Sequence, residues 1–101
     1  MPYHYVKEND TDSMSEMTRK HFSEMKAYSS KIQGKICHAQ SMGMGYTICF
    51  RRDSIDQPLL ALVYDYSSYD YNDYLKIQEK FFQGYTNIDP TQNKRTRPSY
   101  T

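Results

Sequence analysis

The chain has 101 residues, 38% apolar and 25% charged, with 13 Lys/Arg against 12 Asp/Glu. That is one domain, globular rather than disordered in composition, able to bury roughly 60–65% of its unfolded surface. A formal net charge of +1 gives no overall field toward nucleic acid or membrane, and the longest wholly apolar run, residues 59–64, is too short to cross a bilayer.

The N-terminus lacks the basic region and apolar stretch of a secretory signal, which predicts a cytoplasmic protein with Cys37 and Cys49 as reduced thiols. Residues 2–7 read as a short strand, with Tyr3, Tyr5 and Lys7 on one face and His4 and Val6 on the other. Pro2 suits a strand start or an edge. Ser13-Met14-Ser15-Glu16 has the spacing of a capping box. Met14, Met17, His21, Met25, Tyr28 and Ile32 then recur every three or four residues, with Phe22 beside them. That is the apolar face of a helix over about 13–33, closed by Gly34.

Three strands are expected next, at 35–40, 46–52 and 59–66. The last is nearly continuous in apolar residues, as a strand covered on both faces would be. Gly43 and Gly45 supply the first turn. A hairpin centred on Gly43 would set Cys37 opposite Cys49 on a face shared with Ala39 and Thr47, with Ile36, Tyr46, Ile48 and Phe50 on the other. Ser68 or Asp70 then caps a second helix, in which Tyr71, Tyr74, Leu75, Gln78, Phe81 and Phe82 follow the helical period up to Gly84. Asp70 and Asp73 fall where negative charge suits the helix dipole.

The expected architecture is a compact α+β domain over residues 1–89, a three- or four-stranded, mostly antiparallel sheet with two helices on one face. Residues 90–101 are expected to form a basic, flexible tail. The order α-β-β-β-α is similar to that of the double-stranded-RNA-binding domain. That family carries lysines at the start of its last helix, where this chain has YDYNDY, and the likeness extends to element order alone.

The candidate interaction surface is VYDYSSYDYNDYLK, residues 63–76, which holds five of the eleven tyrosines and three of the twelve acids. Tyrosine offers a large, rigid contact area at low entropic cost. Exposed tyrosines with Asp65, Asp70 and Asp73 would suit a basic site on another protein. The first expectation is therefore a non-enzymatic interaction module of inhibitor or adaptor type, with Tyr64, Asp65, Tyr66, Tyr69, Asp70 and Asp73 as its protein-binding residues. The carboxylates could stand in for phosphates in a nucleic-acid-binding groove, as small viral or mobile-element inhibitors do by analogy. The alternative is a small nucleic-acid-binding protein using exposed tyrosines with Arg51, Arg52, Lys94, Arg95 and Arg97. A sheet face left open over Cys37, Ala39, Thr47 and Cys49, or the sheet edge, would suit a homodimer.

No catalytic, cofactor or metal pattern emerges. There is no CxxC, and the three histidines fall on three different elements. The four glycines form neither a phosphate loop nor a dinucleotide fingerprint.

Overall fold

The computed structural model describes residues 3–31, 35–43, 45–67 and 70–85. The elements are β1 (Tyr3–Lys7), a 3-10 turn (Thr11–Ser13), α1 (Glu16–Lys31), β2 (Cys37–Gly43), β3 (Tyr46–Arg51), β4 (Leu60–Asp65) and α2 (Tyr71–Phe81). The strands make one antiparallel sheet in the order β1-β4-β3-β2. The chain is thus an α+β domain with a four-stranded sheet and two helices, and the N-terminal strand is part of that sheet.

β4 lies between β1 and β3, which explains its unbroken apolar sequence: both of its faces are covered. Ala61 and Val63 join Val6, Ile36, Ile48 and Phe50 under Met14 and the α1 residues Phe22 and Met25. Leu62 joins Cys49 on the opposite face, under Phe81 of α2, with Ile77 and Phe82 against them. The two helices therefore sit on opposite faces, which corrects the expectation of both on one. Side chains alternate along a strand, so Thr47, Cys49, Leu62 and Tyr64 form a second apolar face. A half-apolar face this size is better buried than wet, at ~25 cal/mol per Å².

α1 begins later than the capping-box spacing suggests. Ser15 is the cap: its Oγ accepts a hydrogen bond from the Thr18 amide at 3.2 Å and lies 3.0 Å from the Thr18 hydroxyl. The buried stripe is Thr18, Phe22, Met25 and Ser29, while Met17 is exposed. Phe22 sets this rotation, because its ring meets Phe50 edge-on with centroids 5.5 Å apart. His21 consequently lies at the rim, with Nδ1 3.2 Å from Glu24 Oε1. Ser15→Ala is expected to lower stability by about 1 kcal/mol, read by urea denaturation.

The β2–β3 register also differs from expectation. Cys49 pairs with Ala39, and Cys37 with Arg51. The pairing shifts by two residues because the turn closes with Gly43 opposite Tyr46 and a bulge between Ser41 and Gly43. A two-residue shift preserves the faces, so Cys37 and Cys49 still share one, as diagonal rather than direct neighbours.

Candidate protein-binding surface

The turn after β4 is held by three local devices. Asp65 Oδ1 accepts a hydrogen bond from the Ser67 amide at 2.9 Å and another from the Ser67 hydroxyl. These bonds hold its carboxyl below the usual carboxylate range. The Tyr66 amide donates to the Gly45 carbonyl at 2.7 Å. Gly45 has φ +86°, and a Cβ there would stand 2.5 Å from Ser67 Cβ, so only glycine allows this approach. Asp70 is the N-cap of α2, accepting from the Asn72 amide at 3.1 Å.

This turn delivers a cluster of tyrosine rings. Tyr74, buried on the first full turn of α2, is its centre. Its ring centroid is 5.0 Å from Tyr64, 5.6 Å from Tyr71 and 5.7 Å from Tyr66. Tyr66 and Tyr71 also meet edge-on at 6.2 Å. Burial pushes the Tyr74 phenol above its ordinary pKa, with Thr47 and Cys49 near its hydroxyl. The series continues through Tyr3, stacked on Tyr64 at 6.2 Å, to Tyr5, stacked on Phe81 at 5.9 Å.

The structure separates the expected contact residues. Tyr64 is 0% exposed and belongs to the core, so its place in the binding surface is corrected. It lies under α2, the cover that the reading of a bare second face left out. Asp65 turns to the α1 side, paired with Tyr46 across the strands, while Tyr64 and Tyr66 turn to the α2 side. Tyr66 is half-buried, and Asp70 and Asp73 are exposed. Tyr69 lies outside the described residues, as do Lys94, Arg95 and Arg97.

The sequence reading missed Tyr71 as a surface residue. Its spacing of three from Tyr74 suggested an inward ring, yet it is 56% exposed. It is the first residue of α2, one turn before the ring that packs on the sheet. Position in the first turn was the available signal. Tyr5 and Leu75 are exposed as well.

The two strand-end arginines serve the fold. Arg51 donates to the Phe81 carbonyl at the end of α2, and its guanidinium lies 4.8 Å from the Phe81 centroid and 5.3 Å from Tyr85. Its Nε is 3.5 Å from Asp53 Oδ1. Arg52 is buried on the α1 side. It donates to the Ile55 and Gln57 carbonyls at 3.1 and 2.8 Å and to Ser29 Oγ at 3.3 Å, and it stands 3.8 Å from Glu8 Oε2. Their expected role as nucleic-acid contacts is corrected for Arg52, whose donors are turned inward. For Arg51 the guanidinium is largely committed to α2. The opposite directions of the pair follow from strand alternation.

Cys37 and Cys49 are buried free thiols. α2 covers Cys49 on the face they share while Ala39 stays exposed, so the open face expected to form a homodimer is occupied in part within the monomer. Burial raises the Cys37 pKa from 9.0 to about 11 and that of Cys49 from 9.0 to about 12. Both are raised on folding, so their contribution to stability is fully present below pH 9.0 and is lost as pH rises from there through about 12. Urea midpoints should therefore fall above pH 9.0, and Cys49→Ala should flatten that fall. An unchanged slope in the variant would show that the thiol does not contribute. Among the described residues, no three His, Cys, Asp or Glu side chains are grouped to hold a metal ion, and no helix is long and apolar enough to cross a membrane.

Comparison with protein-family models, curated proteins and solved structures finds no match. The surface must therefore be read from its own chemistry.

Proposed function

We propose that this chain is a non-enzymatic protein-interaction module of inhibitor or adaptor type. Its contact surface is the start of α2 with the end of β4: Tyr71 and Tyr66 as ring contacts, Asp70 and Asp73 as charges. The observation that carries the reading is Tyr71. More than half of it faces solvent, yet its ring rests on Tyr66 and Tyr74, and the exposed Asp70 and Asp73 flank it in sequence. A pre-positioned aromatic loses little entropy on binding. The carboxylates favour a partner with a basic surface and would guide encounter by charge. A groove that normally receives nucleic acid offers both a basic wall and a site for stacked rings, so nucleic-acid mimicry is the sharpest form of this function.

Tyr71→Ala combined with Asp73→Asn is the test. Neither side chain is buried and Asp73 is not the cap residue, so the fold should stand. Affinity capture of a basic partner should be lost with this variant and retained with Lys7→Ala, a surface control on β1. Equal recovery with both would overturn the proposal.

The nucleic-acid reading is weaker because Arg52 is enclosed and Arg51 is held by α2. Phosphate contacts would fall to Lys94, Arg95 and Arg97, and Asp70 and Asp73 would repel phosphate at the tyrosines. Anisotropy of labelled single-stranded and duplex nucleic acid should show no steeply salt-dependent binding. Tight binding that weakens on removal of residues 91–101 would put that reading first.

A further inference from the structure

The sheet has two outer edges, and they differ. β1 follows Pro2 in sequence and ends on the charged pair Lys7-Glu8. Such residues discourage another chain from adding to an edge. β2 at the other edge is CHAQSMG: seven residues with no proline, no acid, no lysine and no arginine. Ala39 and Ser41 on this strand are exposed, and neither belongs to the buried clusters beneath α1 or α2. A strand of this length extends about 24 Å.

We propose that the outer edge of β2 pairs antiparallel with β2 of a second copy, about a two-fold axis through Gln40, joining two sheets into one. The sequence is self-complementary about that residue. Ala39 would oppose Ser41, small against small on the α2 side. His38 would come opposite the bulged Met42 on the α1 side, where both are half-buried. Gln40 would meet its own copy; its Oε1 lies 3.3 Å from His38 Nε2, and its amide nitrogen remains to donate across the axis. No like charges are brought together anywhere in the strand, which favours a second copy over a charged peptide. Met42 is the bulged residue between Ser41 and Gly43 at the hairpin end, so the regular ladder open to pairing runs from Cys37 to Ser41. A single strand pair is a small interface, so the dimer should form in the micromolar range rather than below it. The pairing leaves the start of α2 free in each copy, and a dimer would present two tyrosine surfaces to a repeated partner.

Light scattering across a concentration series tests this directly. The wild-type chain should approach the mass of two chains at high micromolar concentration, with amide protection rising with concentration over Cys37–Gly43 alone. Gln40→Lys and Gln40→Glu should each hold the mass of one chain, since like charges would meet on the axis. Their equimolar mixture should recover the mass of two. A wild-type chain that stays at one-chain mass throughout overturns the proposal. So does a dimer whose protected amides lie elsewhere, or one that both charged variants preserve. The wild-type mass and exchange data decide the matter even where a variant fails to fold.

Discussion

Arg52→Ala is expected to cost about 3–5 kcal/mol of stability, the usual consequence of removing one member of a buried charged pair. The side chain is only 8% exposed and links three parts of the molecule. It holds two carbonyls of the 53–58 connection, the Ser29 hydroxyl of α1 and the Glu8 carboxylate after β1. Glu8 in turn accepts from the Leu59 amide at 3.1 Å, where β4 is about to begin. Without the guanidinium, Glu8 keeps its charge in a half-buried place and the carbonyls lose their donors. Arg52→Lys should recover only part of the loss, because an ammonium cannot reproduce the planar fork. Urea denaturation measures both. A cost below about 1 kcal/mol for Arg52→Ala would mean that water replaces these contacts freely.

Tyr64→Ala and Tyr71→Ala should give opposite results from neighbouring rings of one cluster. Tyr64 is fully enclosed between β4 and α2, touching Tyr3 and Tyr74. Its truncation should cost about 3–5 kcal/mol, as for other large aromatic side chains. Tyr71 stands at the exposed end, and its truncation should change stability by no more than about 0.5 kcal/mol. The functional consequence reverses. Tyr71→Ala should abolish partner capture by a fully folded protein, whereas Tyr64→Phe should bind normally. Thermal unfolding and capture measured on the same samples separate the two. A Tyr71→Ala protein that unfolds readily would assign that ring to the core instead.

The difference between these two residues shows how far local pattern reaches. Tyr64 and Tyr71 sit in one dense run of tyrosine and aspartate, and nothing in their local composition ranks one above the other. Helical spacing favoured Tyr71 as inward because Tyr74 and Phe81 follow it at core spacing. The sheet ends before that turn, and the first ring of α2 extends past it. The arginines show the same limit. Strand alternation sends Arg51 and Arg52 to opposite faces, but whether a guanidinium meets solvent or a carbonyl depends on elements distant in sequence. Phe81 and Ser29 are those partners.

The order of elements, the period-two faces of the strands and the acidic start of α2 were determined by the sequence alone, because each rests on neighbours within a few residues. The tertiary structure decided which helix covers which face, the two-residue shift of the β2–β3 pairing and the division of the tyrosines between core and surface. Those depend on long-range packing: Phe22 meets Phe50, Tyr74 meets Tyr64, and Gly45 meets Ser67. Such contacts carry no periodic signal, and they settle how much of the apolar surface of β3 and β4 is buried on each side.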